Sequence, residues 1–115
     1  MKRNHKYDRL ANDLKQVITR VINEEINDLE YVSVTEVELT KDLGDAKVFI
    51  NTLNEEDRDF ALTKLKKTEK FIKKRIAEEI KMRRIPNLIF KYDDSLGNYN
   101  RIDELLSKVV KDEEE

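Results

Sequence analysis

Ten residues between Lys64 and Pro86 (KLKKTEKFIKKRIAEEIKMRRIP) are lysine or arginine: Lys64, Lys66, Lys67, Lys70, Lys73, Lys74, Arg75, Lys81, Arg83 and Arg84. Only three are acidic, Glu69, Glu78 and Glu79, a surplus of seven positive charges in a chain whose total is −2. At 100° per residue, Leu65, Ile72, Ile76 and Ile80 fall within an arc of about 80°, and Lys66, Lys70, Lys73, Lys74, Lys81 and Arg84 within another of about 100°. The stretch reads as a helix with one docking face and one cationic face. Such a ridge neutralises phosphates and releases their counterions, which is the chemistry of nucleic-acid backbone binding. A solvated helix surface is the plain alternative reading of the same lysines.

Other chemistry finds little to work with. Two glycines in the whole chain leave no Gly-x-Gly-x-x-Gly motif and no P-loop. One histidine, His5, and no cysteine cannot build a nucleophilic triad or a thiolate metal site. His5 stands in a short basic lead, Met1 to Lys6, where solvation is its expected fate. Adjacent acids occur at Glu24-Glu25, Glu55-Glu56, Glu78-Glu79 and Asp93-Asp94. Catalytic carboxylates must converge across a cleft with separated pKa values, and sequence neighbours do not imply that. Asp93-Asp94 lies beside a turn that could hold a cation, but no EF-hand pattern surrounds it. No enzyme, cofactor or metal is expected.

The elements that must position the cationic stretch follow from periodicity. At 115 residues one domain is expected. Charged residues make up 42% of the chain, against about 25% typically, yet the apolar residues recur in blocks as disordered chains do not. There is no signal-like lead and no long apolar run, so a soluble cytoplasmic domain is expected; it is expected to be a monomer. Leu10, Leu14, Val17, Ile18, Val21, Ile22, Ile26 and Leu29 step by three and four, predicting a helix over 7–29. YVSVTEVEL (31–39) is a valine-rich strand whose parity changes between 32/34 and 37/39, which predicts a bulge near Thr35-Glu36. AKVFINTL (46–53) is a second strand without clean alternation, joined antiparallel to the first through TKDLGD. A long helical stretch over 58–84 follows, with a break expected within 66–70 and an end at Ile85-Pro86. NLIFKYD (87–93) alternates as a third strand, with Leu88, Phe90 and Tyr92 on one face. RIDELLSKVV (101–110) suits a short C-terminal helix, and KDEEE is an acidic tail. The order is α-β-β-α(α)-β-α. It predicts an α+β domain with a three-stranded sheet, in which the second and third strands are joined by a parallel crossover.

Beyond periodicity, two strings resemble the ribosome-binding factor A family, bacterial assembly factors of the small ribosomal subunit. In VSVTEVELTKDLGDAKVFI (32–50) the likeness is carried by Val34, Thr35, Val37, Asp42, Leu43, Ala46, Lys47 and Val48. In FIKKRIAEEIKMRRIPNLIFKYDDSL (71–96) it is carried by Phe71, Ile72, Arg83, Pro86, Leu88, Phe90, Tyr92, Asp93 and Ser95. RIDELL (101–106) and Asp8-Arg9 suit the family's closing and opening segments. The resemblance implies a KH-like fold of type II order (α-β-β-α-α-β). Residues 1–110 would then form a single KH-like RNA-binding domain, with 111–115 as the acidic tail. It implies a non-enzymatic factor that binds the small subunit and its rRNA near the decoding region and neck during late maturation, associated with rRNA processing and growth in the cold. Two sites depart from the family pattern. Its Ala-x-Gly helix interruption, where other KH domains place a Gly-x-x-Gly loop, is here Thr68-Glu69-Lys70. Its Asp-Pro-Arg-Leu turn is replaced by Asn27-Asp28-Leu29-Glu30, so a different loop is expected.

Two other functions stand beside RNA binding. One is a protein-interaction module whose mixed-charge helices take an acidic partner. The other is a hydrolase, for which no convergent polar cleft can be assembled from these residues.

Overall fold

A computed structural model describes residues 7–94. Helix α1 is Asp8–Glu25, followed by strands β1 (Val32–Leu39) and β2 (Asp45–Thr52). A single 3-10 turn, Glu55–Asp57, leads into α2 (Arg58–Lys67), α3 (Glu69–Glu79) and β3 (Asn87–Tyr92). This is the α+β order α-β-β-α-α-β expected from periodicity, and the KH-like order that the family resemblance implies. The expected C-terminal helix over 101–110, the acidic tail and His5 lie outside the described residues.

The sheet runs β1-β2-β3. β1 and β2 are antiparallel, and their register shifts between Val34 and Glu36. Thr35 is thus the extra residue of the predicted bulge, and its hydroxyl donates to Asp93 Oδ2 at 2.5 Å, just past the end of β3. β2 and β3 are parallel, from Asp45 opposite Asn87 to Ile50 opposite Tyr92. Parallel neighbours need a long connection, and α2 with α3 supplies it. In β2, Ala46, Val48, Ile50 and Thr52 alternate inward. The alternation is clean after all; apolar Phe49, on the opposite face, hides it in the letters.

One face of the sheet meets the helices. Leu14, Ile18, Val21 and Ile22 of α1 pack there with Val34, Val48 and Ile50, together with Leu65 of α2 and Ile72 and Ile76 of α3. The other face carries Ser33, Glu36, Glu38, Lys47, Phe49, Asn51, Ile89 and Lys91, all half-buried or exposed.

The break between α2 and α3 falls at Thr68, inside the predicted window. The Thr68 backbone leaves helical geometry at φ −100°, ψ 10°. Its N–H still reaches the Lys64 carbonyl at 3.0 Å, and its hydroxyl donates to the same carbonyl at 2.8 Å. The Thr68 hydroxyl is therefore a second donor to a carbonyl of the last turn of α2, at the site where the resemblance would place Ala-x-Gly. Glu69 secures the joint from the other side, because its Oε2 accepts the Leu88 N–H of β3 at 2.9 Å.

The helical stretch ends earlier than expected. α3 stops at Glu79, and Ile80 is extended at φ −120°, ψ 125°. Proline limits how far a helix can run and does not oblige it to run that far, so Pro86 did not require the helix to continue. Packing decides the end instead. On a continued helix Met82 and Ile85 would stand about 100° and 160° from the buried stripe. In extended backbone Ile80, Met82 and Ile85 all pack against the core, and Pro86 is fully buried. The loop after α1 is held by its own contacts. Asp28 adopts φ 69°, and Asn23 Nδ2 donates to the carbonyls of Leu29 and Val32 at 3.1 and 2.9 Å.

Glu69→Ala should lower stability by about 1–2 kcal/mol, the scale of a partly exposed charge-assisted hydrogen bond, while Glu69→Gln keeps most of it. Urea unfolding with amide exchange at Leu88 checks this. An unchanged exchange rate in the alanine variant would remove Glu69 as the clamp of the joint.

Candidate nucleic-acid interface

The stretch from Lys64 to Pro86 occupies three backbone settings, which corrects the single wheel drawn for it. Lys64, Lys66 and Lys67 close α2; Lys70, Lys73, Lys74 and Arg75 belong to α3; Lys81, Arg83 and Arg84 sit on the extended segment after it. The docking stripe survives as Leu65, Ile72 and Ile76, all fully buried. Ile80 leaves it, half-buried in extended backbone. Lys81 and Arg84 therefore share no helix face with Lys70 and Lys74.

Within α3 the flanks have different neighbours. On one side Arg75 faces α1: its Nε donates to Glu25 Oε1 at 2.7 Å and its Nη2 to Glu25 Oε2 at 2.9 Å. Arg75 also pairs with Glu78 in the next turn, and with Glu79 at 3.3 Å. Glu79 in turn takes a two-pronged contact from Arg20 of α1. On the other side Lys73 Nζ donates to Asn87 Oδ1 at 3.3 Å, at the start of β3. Between these flanks Lys70 and Lys74 are exposed and form no ion pair among the described residues.

The cations thus divide. Arg75 is tied to three glutamates, and Lys64 lies 3.8 Å from Asp28. Lys66, Lys67, Lys70, Lys74, Lys81 and Arg83 are exposed with no ion pair among the described residues. The acids of the stretch are all occupied: Glu69 holds β3, Glu78 pairs with Arg75, and Glu79 bridges Arg20 and Arg75. Glu69 turns toward β3 and Glu79 toward Arg20 of α1, while the exposed Glu78 is matched along α3 by Arg75.

Arg84 is exposed and lies near the β1–β2 turn, where its charge helps hold the Asp42 carboxyl below the usual carboxylate range. The larger causes there are the Gly44 N–H and the Thr40 hydroxyl, each donating to Asp42 Oδ1 at 2.9 Å. Asn87 joins this end of the sheet to α3, since its Nδ2 donates to Asp45 Oδ1 at 3.3 Å. Lys73 and Arg84 are therefore brought to one end of the domain, although eleven positions separate them in the chain.

Sequence reasoning missed Arg20 and Glu25, whose partners are 59 and 50 positions away. It also missed Glu69, which reads as one more charge in a charged run. Of the acid pairs, Asp93 and Asp94 do share an open groove of about 540 Å³ with Glu36, Glu38, Arg58, Lys91 and Tyr92. Arg58 lies over the Tyr92 ring there, 5.2 Å from its centroid. No group of three or more acids or histidines among the described residues is placed to hold a metal ion. No described helix is long and apolar enough to cross a membrane.

A three-stranded KH-like sheet with a broken, lysine-edged helical crossover defines the class: a small α+β domain presenting a cationic helical surface. Within that class the chain belongs to the ribosome-binding factor A family, whose sequence pattern matches residues 6–106. It is 37% identical over 113 residues to the ribosome-binding factor A of Desulfitobacterium hafniense, covering 96% of this chain and 90% of that one. It is 40% identical over 109 residues to that of Halothermothrix orenii, covering 92% and 89%. The crystal structure of ribosome-binding factor A from Thermus thermophilus matches with a TM-score of 0.66 at 29% identity, over 73% of this chain and 92% of that one. A Thermus thermophilus homology model fitted into a cryo-EM map of its complex with the 30S subunit matches with a TM-score of 0.60 at 27% identity, over 70% and 88%.

Arg75 holds the Glu25 carboxyl below its ordinary value of 4.5. A lowered carboxylate contributes stability that is present above the unfolded value and lost as pH falls through the folded one. Glu25→Gln should therefore destabilise the protein near pH 7 and make progressively less difference below about pH 4.5. Urea midpoints across that range check it. A difference that stays constant down to about pH 3 would contradict the pairing.

Proposed function

We propose that this protein is a non-enzymatic assembly factor that binds the small ribosomal subunit through its rRNA, using the lysines of α2 and α3 with the cations of the 80–86 segment. The observation that carries the reading is the segregation of charge in the stretch. Its three acids each have a partner, Glu69 at the edge of β3 and Glu78 and Glu79 in surface ion pairs with Arg75 and Arg20, whereas Lys66, Lys67, Lys70 and Lys74 stand exposed without ion pairs among the described residues. Such lysines bind a phosphate backbone by counterion release and carry no base specificity of their own. Shape and neighbouring proteins then select the site. Family membership supports the same reading, because the Thermus thermophilus member was fitted as a complex with the 30S subunit.

In this reading Lys64, Lys66, Lys67, Lys70, Lys73, Lys74, Lys81, Arg83 and Arg84 face RNA, and Arg75 chiefly fixes α3 against α1. The action falls in late maturation of the subunit, with rRNA processing and growth in the cold as its consequences, in the cytoplasm and as a monomer. Residues 1–110 act as one RNA-binding domain.

Replacing Lys70, Lys73 and Lys74 together by Glu should abolish co-sedimentation with small subunits while circular dichroism stays native. Each lost phosphate contact should make the slope of log affinity against log salt shallower by roughly 0.7–0.9. Unchanged sedimentation of the triple variant would refute the assignment. Co-purification with the subunit that survives RNase digestion would point instead to a module that binds an acidic protein partner.

A further inference from the structure

Two aromatic side chains among the described residues are exposed, and both stand among the lysines. Phe60 of α2 is 49% exposed and Phe71 of α3 is 41% exposed. Tyr7, Tyr31, Phe49, Phe90 and Tyr92 are all half-buried. Neither exposed ring belongs to the core or packs against it. Apolar surface held in water is unfavourable, so two such rings on one charged surface call for an occupant.

Their placement agrees across the break at Thr68. Each ring stands about 120° from the buried stripe of its own helix, turned in the same sense. On that flank Lys64 approaches Asp28 and Arg75 reaches Glu25, so both rings lie toward the C-terminal end of α1. Phe60, Lys64, Lys67, Phe71 and Lys74 follow one another at steps of four, three, four and three. Each ring therefore has an ammonium group one turn away on its own helix, Lys64 for Phe60 and Lys74 for Phe71. Lys64 Nζ lies 6.0 Å from the centroid of the Phe60 ring.

Exposed rings with cations a turn away match single-stranded nucleic acid, whose unpaired bases stack on aromatic faces while its backbone meets positive charge. A duplex keeps its bases stacked on one another and would engage the lysines alone. A protein partner that filled the rings would gain nothing from the lysines unless it were itself acidic. We infer that Phe60 and Phe71 are stacking platforms for unpaired bases, so that the α2–α3 surface takes single-stranded rather than double-helical RNA. This rests on the RNA-binding reading above and names the form of RNA that the surface accepts.

The chain has no tryptophan, so Phe60→Trp and Phe71→Trp each install a single fluorescent reporter. The probes are an unstructured single-stranded RNA of about 12 nucleotides and a blunt RNA duplex of the same length. The single strand should quench each tryptophan, and the duplex should not. Phe60→Ala and Phe71→Ala should each weaken single-strand binding by about 5- to 150-fold, the effect of removing one stacking aromatic. Duplex affinity, the salt slope and circular dichroism should stay unchanged. If both alanine variants bind the single strand normally while the Lys70, Lys73 and Lys74 charge reversal abolishes binding, stacking is wrong and RNA binding stands. If the charge reversal also binds RNA normally, both readings fall. If the alanine variants lose only subunit association and keep full RNA affinity, the rings serve a protein contact and the inference is overturned.

Discussion

The cationic surface depends on where the acids of its own sequence point. Glu69 turns inward to the Leu88 N–H, while Glu78 and Glu79 close on Arg75 and Arg20. Pairs as exposed as these add little to stability individually, typically about 0–1 kcal/mol. Their consequence is directional. Negative charge is gathered along the seam between α1 and α3, and Lys70 and Lys74 are left unopposed on the outer side. A net charge of −2 for the whole chain is therefore no guide to the sign that a partner meets at this surface.

The crossover geometry keeps that surface in place. β2 and β3 are parallel neighbours, so the chain between them must travel back along the sheet. It does so as two helices rather than one, and the break lets Ala61 and Leu65 of α2 and Ile72 and Ile76 of α3 be buried against the same layer. Thr68 and Glu69 build this joint from side-chain oxygens. The solution is less dependent on backbone freedom than a small-residue interruption, and it couples the angle between the helices to the edge of β3. The extended 80–86 segment then carries Arg83 and Arg84 back to the end of the sheet where β3 begins.

Much of the fold was legible from letters because burial follows period. Steps of three and four marked α1, the parity change in VSVTEVEL marked the bulge at Thr35, and the polar run around Thr68 marked the break. The end of α3 was legible only against the buried stripe: on a continued helix Met82 and Ile85 fall about 100° and 160° away from it, whereas in extended backbone both pack against the core. The candidate site was legible in composition but not in partition. No local signal separates Arg75, held by Glu25 from 50 positions away, from Lys74 beside it, which meets solvent. The exposed rings were equally hidden, since Phe71 sits in the string that carries the family likeness and reads there as an ordinary apolar position.

The central claim is that the small subunit meets the helical face of the domain rather than the open face of the sheet. Lysine acetylation footprinting, read by mass spectrometry with and without bound small subunits, compares the two faces in one sample. The account predicts protection of Lys66, Lys67, Lys70 and Lys74, with Lys47 and Lys91 on the sheet's outer face modified as fast as in the free protein. Protection of Lys47 and Lys91 with undiminished labelling of the helical lysines would contradict it.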